Sequence, residues 1–259
     1  MLEITIENEY GERLDLHNNI SYILGGVTGV TPPAANINTT SIATKDGSVF
    51  NSSFLGNRNI VLTIYPQLSI ERSRINIYKY IKAKHYIKLY IKNASREVWT
   101  DGYVDSLEID INENPQKIQA SIICPDPYLK AIDTIEVAFE NQEATVINNS
   151  DEAIGFIAEF NFTGDVENLH IENETTGEEF TVIHDFFAAE KLTLNTRRGE
   201  KSVILASEGF ENIDLISDID MRSTWIQLAN GENVLTYSAT TGEGYIAAKV
   251  TIQPIFEGV

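Results

Sequence analysis

The chain has 259 residues, 42% hydrophobic and 9% aromatic, enough to bury the cores of two domains and against disorder as the main state. No apolar run approaches the roughly 20 residues of a membrane helix, and the single cysteine, Cys124, excludes an intrachain disulfide. The net charge of −19 is uneven: residues 1–130 carry 13 Lys+Arg against 14 Asp+Glu, residues 131–259 carry 6 against 24, so the second half repels nucleic acid and anionic membranes.

In chain order, Met1-Leu2-Glu3-Ile4 has neither the basic nor the apolar region of a signal peptide, so a cytoplasmic start is expected. Leu2, Ile4 and Ile6 alternate with polar residues, a strand with one face in a core. Residues 25–59 break the pattern. Gly25-Gly26, Gly29, Pro32-Pro33 and many Asn, Ser and Thr residues predict a long loop or an extended hairpin arm. Its apolar residues Val49, Phe50, Phe54 and Leu55 are candidates for an assembly interface.

Pro66 closes a strand over Ile60–Tyr65. A helix is predicted from Leu68 to Lys82, with Ile70, Ile77, Tyr78 and Ile81 on one face. Eight basic residues lie within 72–96 (Arg72, Arg74, Lys79, Lys82, Lys84, Lys88, Lys92 and Arg96). A solvated helix face and strand edge account for them better than a nucleic-acid patch does. Trp99, in a strand leading to a turn at Asp101-Gly102, is read as a core residue. Strands follow at Leu107–Ile111 and Ile118–Ile122, and Pro125-Asp126-Pro127 stiffens the exit. The predicted domains are therefore 1–132 and 133–259.

In the second half, alternation recurs at Ile135–Phe139, Ile154–Phe162 and Ile246–Ile252. A helical turn is expected near Ile213–Ser217. Trp225, also read as core, starts a strand ending at Asn230-Gly231, and Gly242-Glu243-Gly244 reads as a hairpin turn. Alternation throughout implies antiparallel sheets and a mainly β protein.

No catalytic constellation is visible. His17, His85, His170 and His184 match no zinc spacing, and there is no GxSxG, Walker A or GxGxxG element. Asp214, Asp218 and Asp220 lack the Gly and terminal Glu of an EF-hand loop. No enzyme activity, cofactor or metal is expected.

The stretch from Ser223-Thr224-Trp225 through Asn230-Gly231 to Tyr237, followed by Gly244-Tyr245-Ile246 and Pro254–Val259, resembles the closing part of the distal tail (Dit) proteins of siphophages. Ile122-Ile123-Cys124-Pro125-Asp126-Pro127-Tyr128 is similar to that family's domain junction. Gly26-Val27-Thr28-Gly29, Asp46–Phe50 and Arg58–Leu62 resemble its N-terminal part. The resemblance implies an N-terminal β domain with one helix and an extended hairpin, and a C-terminal galectin-like β-sandwich. It also implies six copies ringed at a phage tail tip around a DNA channel. The implied partners are the tail tube, tape-measure, tail-associated hub and receptor-binding or baseplate proteins, without membrane or sequence-specific nucleic acid. The protein would then be a virion component assembled in the bacterial cytoplasm. The alternative is a glycan-binding, lectin-like module for host attachment.

Overall fold

The computed structural model describes residues 2–44, 46–112 and 114–259. They form two compact units: one of residues up to Ile132 together with Phe256–Val259, the other of Asp133–Ile255. The last four residues, grouped by sequence with the second domain, thus belong to the first. Val259 donates its amide N–H to the Val30 carbonyl at 3.1 Å, and the Arg96 guanidinium lies 4.2 Å from the centre of the Phe256 ring.

The first unit contains β1 (Glu3–Asn8), β2 (Arg13–Asp15), β3 (Tyr22–Thr28), β4 (Ala35–Ser41), β5 (Ser48–Leu55), β6 (Arg58–Pro66), α1 (Ile70–Ile77), β7 (Tyr86–Lys92), β8 (Glu97–Asp110), β9 (Lys117–Cys124) and β10 (Leu129–Ala131). The main sheet is antiparallel in the order β2-β1-β7-β8-β9-β6-β3, and β10 adds to the first half of β8. Every second residue of β1, β6 and β9 is buried, as the alternation requires. Ile4, Ile60, Ile64, Ile118 and Ile122 make one apolar face. Each such side chain contributes about 1.5–3 kcal/mol by leaving water.

Gly25-Gly26, expected in a loop, lie inside β3. A Cβ at position 25 would stand 2.2 Å from the Tyr65 ring, so any other residue there requires that ring to move. The turn expected at Asp101-Gly102 is also absent, because β8 runs straight through. There the missing side chain admits the Ile123 carbonyl of β9, which a Cβ would meet at 2.4 Å.

The helix is shorter than predicted. Leu68 and Ser69 are left-handed (φ 35° and 42°), so α1 starts only at Ile70. After Ile77 the amides of Tyr78 and Lys79 bond back three residues, to Ile75 and Asn76, and tighten the chain into a turn. Of the predicted apolar face, Ile77 and Ile81 are fully buried, whereas Ile70 and Tyr78 are exposed.

The second unit contains β11 (Ile135–Ala138), β12 (Glu143–Asn148), β13 (Ile157–Phe162), β14 (Val166–Asn173), β15 (Glu178–Phe186), β16 (Glu190–Asn195), β17 (Ser202–Ser207), β18 (Ile213–Asp214), β19 (Gly231–Ser238) and β20 (Ile246–Ile252). Two antiparallel sheets, β11-β20-β13-β16-β17-β18 and β12-β19-β14-β15, share one core and make a β-sandwich. Phe162 of one sheet stacks on Phe186 of the other, ring centres 4.4 Å apart. A 3-10 turn at Ile216–Asp218 stands where the helical turn is expected.

Two connections differ from expectation. Gly242-Glu243-Gly244 closes no hairpin, because β19 and β20 belong to different sheets and the segment crosses between them. The segment from Ser223 to Asn230 is not a strand, although Leu228 makes an isolated bridge to Ile154. Buried asparagines replace the missing ladder. Asn148 Nδ2 donates to the carbonyls of Leu228 (3.0 Å) and Ala229 (3.2 Å). Asn173 Nδ2 reaches Gln227 O (3.1 Å), and Asn233 bonds Ala229 through both its amide oxygen and nitrogen.

Candidate assembly surface

β4 and β5 pair only with each other, forming a two-stranded arm outside the main sheet. Its strand residues are exposed apart from the half-buried Leu55, and none carries a charge. Phe50 is 61% exposed, Phe54 57%, Ile37 64% and Val49 49%. Both outer edges present unpaired backbone N–H and C=O groups, with neither Lys nor Pro to block a further strand. An isolated hairpin is at best marginal in water. This arm therefore has the composition of a segment stabilised by what it docks against.

The register decides which residues share a face. Asn38 pairs with Ser52, but the next residue, Thr39, pairs with Phe50, so Asn51 is bulged out. Asn51 Nδ2 reaches Thr40 Oγ1 at 2.7 Å, and Asn38 Nδ2 reaches Ser52 Oγ at 3.0 Å, on the same side of the ribbon. The bulge sets Phe50 with Ile37 and Leu55 on one face, and Val49 with Phe54 on the other. The four candidate residues are thus brought to one arm but not to one face.

Ile70 and Ile75 of α1 are exposed and line one surface depression, and Leu68 just before the helix is also exposed, which sequence reasoning missed.

Part of the basic strip is paired locally. Arg74 pairs with Glu71, Lys79 with Glu12 at 2.5 Å and Lys92 with Glu97 at 2.7 Å. Lys88 and Lys130 lie over the Trp99 ring, at 3.7 and 4.9 Å from its centre. Trp99, expected in the core, is half-buried on the other face of the sheet, because its neighbours Val98 and Thr100 take the inward positions of β8. Trp225 is half-buried and packs against the second core, 5.1 Å from the Phe180 ring. Neither tryptophan is a free aromatic platform for a sugar.

Asp214, Asp218 and Asp220 do not converge. Asp214 and Asp220 cap nearby backbone amides, and Asp218 bonds His184 at 2.9 Å. Among the described residues, the group that could hold a metal is His170, Glu172 and Glu179. Cys124 is buried, and burial pushes its thiol up to about 11, unlike a nucleophile.

Two β-rich units, one with a single α-helix among the described residues and a two-stranded arm, the other an antiparallel sandwich, define the class: a two-domain, mainly β protein. Residues 149–251, within the second unit, match the family model described as siphovirus-type tail component, C-terminal domain. Among solved structures, the chain is similar to the SPP1 Dit (gp 19.1) protein, described as a paradigm of the hub adsorption apparatus in phages infecting Gram-positive bacteria. The TM-score is 0.73 at 14% identity, covering 98% of this chain and 99% of that one. It is also similar to a chain of the phage P2 baseplate in its activated conformation with Ca, with a TM-score of 0.53 at 9% identity and full coverage of both chains. No curated protein sequence matches. The resemblance to distal tail proteins read from the sequence is borne out.

Proposed function

We propose that this protein is a structural, non-catalytic component of a phage tail tip. In this reading six copies close into a ring at the distal end of the tail. The ring leaves a central channel for DNA and joins the tail tube to the receptor-binding or baseplate proteins. The observation that carries the reading is the arm: an uncharged, exposed ribbon with apolar side chains on both faces and two open edges. A closed ring requires a heterologous contact between two different patches of each copy. The arm supplies one patch, and the exposed Ile70 and Ile75 of the next copy supply the other. The first unit is nearly neutral, which suits close packing of copies, while the acidic second unit keeps the assembly soluble. Dit and baseplate relatives of the same fold support the tail role.

Light scattering on the full chain tests it. A species near six times 28.9 kDa is expected. The double variant Phe50→Asp, Phe54→Asp is expected to be monomeric with unchanged thermal unfolding of the monomer, because neither ring is buried in it. A variant that still assembles like the wild type removes the arm from the contact. The lectin-like alternative predicts a monomer that binds glycan, with binding lost on Trp99→Ala or Trp225→Ala.

A further inference from the structure

We propose that His170, Glu172 and Glu179 form a binding site for a divalent transition cation of the zinc class on the outer face of the second unit's β12-β19-β14-β15 sheet. The ligand atoms of the three side chains lie within 4.8 Å of one another. They are fixed by regular backbone. Leu169 and Ile171 of β14 are fully buried, so His170 and Glu172, which alternate with them, face outward. Glu172 pairs directly with Glu179 of β15, and His170 pairs with Thr181.

Two carboxylates directly opposite each other across a ladder repel. In the other sheet of this unit Glu159 is held by Lys191 and Lys249, and Glu136 by Lys249. Glu167 and Asp185 also face each other across β14–β15 without such a partner, but among the described residues no histidine completes a cluster with them. Glu172 and Glu179 make no ion pair with Lys or Arg among the described residues. The protein thus maintains a repulsive pair on a rigid sheet with an imidazole beside it, and a bound cation relieves that repulsion. The imidazole selects the ion. Calcium and magnesium take oxygen ligands, whereas one histidine and two carboxylates suit zinc or a neighbouring transition metal. Ligands about 2.0–2.2 Å from a zinc ion are reached from the present spacing by side-chain rotation, and water completes the coordination. Thr181 Oγ1 lies 2.9 Å from His170 Nδ1; in the tautomer where Nδ1–H donates to it, the hydroxyl orients the ring and the Nε2 lone pair is left for the ion. The other histidines do not share this arrangement: His17, His85 and His184 each meet one carboxylate, of Glu3, Glu9 and Asp218.

The test is calorimetric titration of the full chain, stripped with chelator, using zinc chloride, with calcium and magnesium chloride in parallel. One saturable zinc event per chain is expected, absent in His170→Ala and in Glu172→Gln, and weakened about 10–100-fold in Thr181→Val, whose hydroxyl only positions the ring. Glu172→Gln is also expected to melt higher than the wild type without metal, since it removes the repulsion, while losing the zinc-dependent rise. Absence of saturable zinc binding, binding that survives His170→Ala, or an equal response to calcium overturns the proposal.

Discussion

Replacing Arg58 by methionine tests how the first unit is closed. Arg58 opens β6 and is 2% exposed. Its Nε donates to Pro127 O (2.7 Å), its Nη1 to Gly29 O (2.6 Å) and Thr31 O (2.9 Å), and its Nη2 to Glu257 O (2.5 Å). One guanidinium thus ties together β6, the loop before the arm, the segment after β9 and the C-terminal tail. Burial pulls its pKa down, yet arginine stays charged. Methionine keeps the stem packing and removes the head. Four hydrogen bonds from a charged donor are worth about 6–12 kcal/mol gross, at roughly 1.5–3 each. Relief of guanidinium desolvation returns several kcal/mol, leaving a loss of about 3–5 kcal/mol. The assay is urea unfolding followed by tryptophan fluorescence. Trp99 reports the first unit once Trp225 is changed to Phe, and Trp225 reports the second once Trp99 is changed. The first-unit transition is expected to fall and the second to stay. Deleting Phe256–Val259 removes one of the same bonds, so the two changes are expected to be non-additive by about 0.5–3 kcal/mol. A loss under about 1 kcal/mol for Arg58→Met, less than a single charged hydrogen bond, would refute the reasoning, because the carbonyls would then be satisfied by water.

Two further predictions follow from burial and charge. Glu159 is held below the usual carboxylate range, first by its hydrogen bond from Lys191 and then by Lys249. A depressed folded-state pKa contributes stability above the ordinary value of 4.5 that is lost as pH falls through the folded value, so Glu159→Gln is expected to flatten the acid-side loss of second-unit stability below pH 4.5. An unchanged slope in Trp225-monitored unfolding would count against that pair. Cys124, with its thiol pushed up to about 11 by burial, is expected to ignore a disulfide reagent at pH 8 in the native protein and to react fully in denaturant. Rapid labelling of the native chain would show that β9 opens.

The strands were legible because period-two burial is written locally: Ile4-x-Ile6 and Ile118-x-Ala120-x-Ile122 state their inward faces without reference to the rest of the chain. The features missed depend on distant partners. Gly102 reads as a turn until Ile123 of β9 is brought against it, and Gly242 reads as a hairpin until β19 and β20 are assigned to separate sheets. Arg58 looks like one more surface cation, since nothing nearby announces that four carbonyls from three other segments will surround it. The cluster at His170 was hidden for the same reason. Two of its ligands are two residues apart on β14, while Glu179 joins only through the β14–β15 register.

The arm shows what one register shift changes. Phe50 and Phe54 are four residues apart, an even spacing that places both on one face of a regular strand. With that geometry the arm would be a clip, apolar on one side and lying against a single surface. The bulge at Asn51 reverses the parity between them and sends Phe50 to the side of Ile37 and Leu55, leaving Phe54 with Val49. A ribbon with aromatic side chains on both faces gains the full benefit of burial only if both are covered, and with both edges open it also has backbone hydrogen bonds to offer. Such a ribbon fits insertion between two bodies better than attachment to one.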